Sequence, residues 1–96
     1  MAQYVMLLNW TEQGVRAGKD TLKRAAAARQ AFEKAGCHMR EIYWTLGKYD
    51  LVITADAPSD EVITALGLQM GMLGNVRTTT LRAFGEQEME QILKRV

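Results

Sequence analysis

The chain has few of the residues that build covalent or metal-based frameworks. Its 96 residues include one cysteine, Cys37, one histidine, His38, and one proline. A lone cysteine cannot form an internal disulfide, so we expect a cytoplasmic protein in which Cys37 is a buried, inert thiol. A single histidine without further partners at ligand spacing predicts no metal site, and no sequence motif predicts a cofactor.

Long hydrophobic runs and a charge excess are also missing. No apolar stretch approaches the roughly 20 residues of a membrane-spanning helix, and the N-terminus lacks a signal-peptide pattern. Twelve Lys and Arg against eleven Asp and Glu leave a net charge of +1, which is too small for non-specific nucleic-acid binding. We therefore predict that the chain binds neither membranes nor nucleic acids. Residues 16–34 carry six basic and two acidic side chains, a net +4, which is typical of a solvated helix face.

The composition is that of an ordinary globular protein, with 48% hydrophobic and 24% charged residues, and we predict a single domain over residues 1–96. Apolar periodicity and turn residues predict four strands, at 4–8, 38–46, 49–55 and 76–84. They predict three helices, at 19–35, 58–73 and 86–96. The two β-α-β crossovers then place both long helices on one face of a four-stranded antiparallel sheet. This α+β order, βαββαβ with an extra C-terminal helix, is ferredoxin-like.

The central hairpin sets the predicted strand register. Gly47 and Lys48 predict a two-residue type II′ turn, because glycine suits its first central position. Counting outward places large apolar pairs on one face, which we expect under the helices: Leu46 with Tyr49, Trp44 with Leu51, Ile42 with Ile53. Trp44 and Tyr49 are therefore predicted core residues. The other face is mixed and includes Tyr43 with Val52, Thr45 with Asp50, and Glu41 with Thr54.

The helix over residues 19–35 is predicted to bury one stripe of small and apolar side chains: Leu22, Ala25, Ala28, Phe32, Ala35. Its alanines would allow close approach to the sheet. The helix over residues 58–73 begins with proline and two acidic residues, as helix starts commonly do. Either Asp56 or Ser59 caps it.

Four short motifs resemble the GYD domain family. The Gly-x-Tyr-Asp turn of that family occurs here as Gly47, Tyr49 and Asp50, and residues 9–14, 57–61 and 74–83 resemble other family segments. Together they extend over nearly the whole chain. One departure is Ser59, where the family often has aspartate after the proline.

The resemblance implies a dimeric α+β barrel, in which two ferredoxin-like sheets meet face to face, and it implies no catalytic residue set. Strand one favours a homodimer on separate grounds, because both of its faces are apolar and the helices cover only one. The predicted interface is the sheet face that bears Tyr43 and Val52, with the terminal helix at its edge.

Five side chains are candidate ligand-binding residues: Trp10, Tyr43, Asp50, Arg77, Arg82. Trp10 follows strand one, where it would line the mouth of a pocket. Asp50 and Tyr43 share a strand face, although hydrogen bonding near the turn is the simpler role for Asp50. The odd spacing of Arg77 and Arg82 places them on opposite faces, so that one of them is available to anchor an anion in a cavity.

No catalytic motif is present, so the sequence alone does not decide whether the chain is an enzyme. We favour a homodimeric small-molecule-binding or regulatory domain. One alternative is a cofactor-independent oxygenase or isomerase of small aromatic or dicarbonyl compounds, in which Tyr43, Asp50 and an arginine would converge on one cavity. The other alternative is a structural interaction module that has no pocket.

Overall fold

The computed structural model describes all 96 residues as one sheet with helices beside it. The four strands are β1 Ala2–Trp10, β2 His38–Trp44, β3 Leu51–Ala57 and β4 Val76–Ala83. The helices are α1 Glu12–Arg16, α2 Thr21–Lys34, α3 Asp60–Met72 and α4 Glu86–Leu93, with a 3-10 helix, Gly18–Asp20, before α2. None of these helices is both long and apolar enough to cross a membrane.

The strand order β2-β3-β1-β4, with all neighbours antiparallel, is that of a ferredoxin-like fold. The predicted fold is confirmed, and the doubly apolar β1 lies inside the sheet. One face carries Tyr4, Met6 and Leu8, which are at most 3% exposed under the helices. The opposite face, which carries Val5 and Leu7 as half-buried residues, is called the open face below.

The core lies between the sheet and the long helices. It contains twelve buried residues, of which the largest fully buried ones are Phe32, Met6, Leu8, Met39, Ile53, Ile63. Cys37 belongs to this cluster, and burial raises the pKa of its thiol. The predicted burial of the cysteine is therefore confirmed, and a raised thiol pKa disfavours the reactive thiolate.

A hydrogen bond from the Tyr4 hydroxyl to the Asp60 carboxylate joins the buried face of β1 to the first turn of α3. This bond, together with burial, raises the pKa of Tyr4 to about 12. The hydroxyl therefore stays protonated at neutral pH and acts as a structural donor. Ser59 Oγ, one of the two predicted caps, accepts from Val62 N–H at 3.3 Å and caps α3.

The predicted two-residue hairpin turn is wrong. The pairs Trp44 with Leu51 and Ile42 with Ile53 are as predicted, but the strands end there and residues 45–50 form a loop. Leu46 is fully exposed, and Tyr49 is half-buried in the loop and outside the core. The loop bonds both across the hairpin and to β1: Thr45 N–H donates to Asp50 O at 2.9 Å, as the predicted pairing of these two residues requires, and Asp50 N–H donates to Leu8 O at 2.8 Å.

Three other side chains that were predicted to be buried lie outside the core. Leu22 is 70% exposed, and Trp44, on the edge strand β2, is 39% exposed and donates its indole N–H to Thr21 Oγ1 at 2.9 Å. Ala35 is exposed too, because α2 ends at Lys34. The inward part of the predicted stripe is thus limited to Ala25 and Ala28, which are half-buried, and Phe32, which is fully buried.

Candidate functional site

An apolar cavity of about 450 Å³ lies between α2, α3 and the helix-covered face of the sheet. We call it the apolar cavity. Thirteen of its 17 lining residues are hydrophobic. Its sheet side includes Leu8, Trp10 and Ile53, and its helix side includes Ala28 from α2 and Met70 from α3. This volume lies within the range of roughly 300–1,000 Å³ for small-molecule sites, and such sites are mostly apolar.

The cavity exists because α2 presents alanines where a packed helix would present larger side chains. Ala25, Ala28 and Ala31 all line it. The helix α2 packs against β2, as its alanines allow, while the space beside their small side chains stays unfilled. This space is partly open to solvent. The arrangement therefore suits a space that takes up solvent or a ligand.

Trp10 is held at this cavity by the loop over residues 45–50. Its backbone N–H donates to Asp50 Oδ2 at 2.8 Å, and the neighbouring Asn9 side chain donates to Lys48 O at 2.7 Å. Gly47 has a φ of +119°, a conformation that glycine adopts without strain. Asp50 thus has a hydrogen-bonding role near the turn, and through the Trp10 backbone it fixes the end of β1.

The start of α1 is hydrogen-bonded to the loop that follows α3. Thr11 N–H donates to Asn75 O at 3.0 Å, and Thr11 Oγ1 donates to Gly74 O at 2.5 Å. The same Thr11 oxygen caps α1 by accepting from Gly14 N–H at 3.0 Å. The backbone at Trp10 is therefore fixed by two sets of hydrogen bonds. The Asp50 carboxylate accepts from the Trp10 N–H, and the next residue, Thr11, is bonded to Gly74 and Asn75.

Comparison with family models finds a match to the GYD domain over residues 4–93. The chain belongs to the GYD domain family. No curated protein matches it. In this GYD domain, the aspartate of the Gly-x-Tyr-Asp turn is the residue that binds the backbone of Trp10.

Tyr43 lies on the open face of this GYD domain, away from the apolar cavity. Its hydroxyl donates to Glu41 Oε2 at 2.6 Å, and Thr54 Oγ1 donates to Glu41 Oε1 at 3.2 Å. The two bonds lower the pKa of the Glu41 carboxyl, and the first raises the pKa of Tyr43. Both shifts favour an ionised Glu41 carboxylate and a neutral Tyr43 hydroxyl.

Arg77 and Arg82 lie on opposite faces of β4, as their spacing predicts. Arg82 pairs with Tyr4 in the register, stacks on Phe84 at 4.5 Å from the ring centroid, and forms a 3.0 Å ion pair with Glu88. Arg77 lies opposite Asn9 and borders a groove of about 530 Å³ between α3 and β4, here called the outer groove.

The outer groove is less suited than the apolar cavity to hold a ligand. Only two of its eight lining residues are hydrophobic, and the others include Gly67, Gly71 and Thr78. Gly67 lies close to β4, since a Cβ there would come within 3.3 Å of Thr78 Oγ1, whereas nothing lies within 4 Å of a Cβ at Gly71. We therefore take the apolar cavity as the candidate site.

The five predicted site residues do not share a cavity. Trp10 lines the apolar cavity, Arg77 borders the outer groove, and neither space is lined by Tyr43 or Asp50. The oxygenase or isomerase hypothesis requires Tyr43, Asp50 and an arginine to converge on one cavity, and neither of these two spaces brings the three together. Sequence reasoning missed Arg24 and the cavity alanines. The signal for them was the alanine run of α2, beside an arginine on the same helix.

Proposed function

We propose that this GYD domain is a homodimeric protein that binds a small, mostly apolar molecule in the apolar cavity. The observation that carries the proposal is the cavity itself: about 450 Å³ of space, lined by thirteen hydrophobic residues of 17. Trp10 and Met70 provide large polarisable surface within it, while Gln69 and Asn75 are the polar groups contributed by α3 and the loop after it. Burying an apolar ligand there would release about 25 cal/mol for each Å² of its apolar surface.

Filling the cavity is expected to abolish binding. The probe is N-phenyl-1-naphthylamine, a neutral dye whose fluorescence rises in an apolar environment. We expect saturable binding to the native chain and at least about tenfold weaker binding to Ala28→Leu, because leucine at this position occupies the space. Ala26→Leu is the matched control, since Ala26 is an exposed residue of the same helix and does not line the cavity.

Ala25→Leu repeats the test from a second position of the cavity wall. Far-UV circular dichroism checks that each variant is folded, and dye titrations then give the affinities. If both cavity variants fold and bind the dye as tightly as Ala26→Leu, the dye does not enter the apolar cavity and the binding proposal is wrong.

The homodimer part of the proposal is supported by the open face. Val5, Leu7 and Val52 are half-buried at its centre, and Tyr43 and Leu81 are 53% and 47% exposed beside them. The terminal helix α4 also leaves Met89 and Leu93 exposed. A second copy on the open face would cover these side chains by an isologous contact.

Sedimentation equilibrium tests the dimer. We expect a native mass of twice 10.8 kDa and a monomer for Leu7→Lys, because a lysine ammonium at the centre of the interface would lose its hydration. Leu68→Lys, on the exposed side of α3, is the control and should remain dimeric. A native chain that sediments at 10.8 kDa at all concentrations would contradict the dimer but leave the cavity proposal standing.

A further inference from the structure

Arg24 is the one charged residue among the 17 that line the apolar cavity. It is half-buried on α2, and its guanidinium is fixed by two backbone carbonyls. Nη1 donates to Ala17 O at 2.8 Å and Nη2 donates to Gly14 O at 3.1 Å. The side chain is therefore held in place before any ligand arrives, which reduces the entropy lost on binding.

This guanidinium has no carboxylate partner. The four ion pairs of the chain all use other basic residues, namely Arg16, His38, Arg40, Arg82. An arginine has five N–H donors, and the two carbonyls account for two of them. Three donors and a full positive charge thus have no protein partner on a residue that lines an apolar space, where a charge is less well screened than in water.

The surrounding charge favours an anion as well. Residues 16–34 contain six basic and two acidic side chains, a net +4. A solvated helix face explains most of these residues, but the field they create also raises the local concentration of anions near α2. The lining offers no second charged group, so a ligand with one anionic group fits it better than a dianion.

We infer that the ligand of the apolar cavity is an apolar monocarboxylate, whose hydrocarbon body fills the cavity and whose carboxylate binds Arg24. This inference rests on the binding function proposed above. The planar guanidinium presents its donors in a geometry that matches a carboxylate. For scale, a cavity of about 150 Å³ accepts one benzene ring, so that a space of about 450 Å³ accommodates a two-ring acid.

The test compares 2-naphthoate with 2-naphthamide, which have the same ring system and differ in charge. Isothermal titration calorimetry on the native chain should show naphthoate binding at least about tenfold more tightly, as expected for a charge-assisted hydrogen bond. In Arg24→Met this preference should disappear while the affinity for naphthamide is unchanged. Arg24→Lys should retain part of the preference, because it keeps the charge without the planar donors.

Lys23→Met is the matched control, since Lys23 is the exposed neighbouring basic residue on α2 and does not line the cavity. It should keep the full preference for naphthoate. Unchanged naphthamide binding by Arg24→Met also shows that the cavity remains intact without the bonds to Ala17 and Gly14.

Each contrary outcome has a separate meaning. If naphthamide binds the native chain as tightly as naphthoate, or if Arg24→Met keeps the preference, the ligand class is wrong while binding in the cavity stands. If neither naphthalene compound nor the neutral dye binds, both the ligand class and the proposed binding function are wrong.

Discussion

Gly14→Ala is expected to destabilise the protein by about 3 kcal/mol or more, a large part of the roughly 5–15 kcal/mol that holds a small domain folded. A Cβ at Gly14 would lie 1.9 Å from Asn75 O and 2.9 Å from Asn75 C, both of which are backbone atoms. Backbone cannot rotate away as a flexible side chain can. The loop after α3 would have to move, and the bonds from Thr11 to Gly74 and Asn75 would be strained or lost.

Urea denaturation followed by circular dichroism measures this effect. Gly18→Ala is the matched control four residues away, because nothing lies within 4 Å of a Cβ at that position. Gly18 is not among the glycines with positive φ, so alanine there should leave stability unchanged or raise it by up to about 1 kcal/mol. A native urea midpoint for Gly14→Ala would mean that the contact between α1 and the loop after α3 is not tight.

The strand order was predictable because it depends on features that a sequence displays directly. Alternation in β1 separates Tyr4, Met6 and Leu8 from Val5 and Leu7, and crossover handedness leaves one arrangement for the two long helices. The opposite faces of Arg77 and Arg82 follow from the same two-residue period. These are local or topological rules, and no knowledge of side-chain contacts is needed to apply them.

The loop over residues 45–50 was not predictable, because its conformation depends on contacts distant in sequence. Glycine and lysine between two strands favour a two-residue turn as long as the hairpin is considered alone. In the folded chain, Asp50 keeps its bond to Thr45 across the hairpin but also bonds to Leu8 O and to Trp10 N–H, about 40 positions away. The competing partner is the end of β1, which no rule for hairpins takes into account.

The cavity was missed for a different reason. Periodicity tells which way a helix residue faces, but it does not give the distance from the helix to the sheet. Ala25 and Ala28 were correctly placed on the inner side of α2, yet their small side chains leave a space of about 450 Å³ instead of closing it. Arg24 was counted with the solvated charges of the helix, since its bonds to Gly14 and Ala17 depend on how the preceding turn folds back.

Leu22 shows how a small error of phase moves a residue out of the core. Thr21, Ala25, Ala28 and Phe32 follow the alternating spacing of four and three that keeps one side of a helix inward. Leu22, Ala25 and Ala28 are spaced by three throughout, and each step of three turns back about 60°, so that Leu22 lies about 120° from Ala28 around the helix. Its 70% exposure agrees with that angle.

Phe32→Ala and Leu22→Ala should therefore have very different effects, although both remove a large side chain from the same predicted stripe. Phe32 is fully buried in the core cluster, and its truncation should cost about 3–5 kcal/mol through lost apolar burial and a new void. Leu22→Ala should change stability by less than about 0.5 kcal/mol, because the leucine is already largely in water.

Chemical denaturation measures this difference as a shift of the denaturant midpoint between the two variants. The dependence of the unfolding free energy on denaturant concentration should be the same in both, which shows that they unfold in the same transition. The low stability expected of Phe32→Ala makes Phe32→Leu a useful third variant, since it keeps most of the volume and should lose only about 1 kcal/mol. Equal losses for Phe32→Ala and Leu22→Ala would mean that α2 is rotated about its axis relative to the sheet. The alanines would then face elsewhere, and the apolar cavity would no longer lie beneath them.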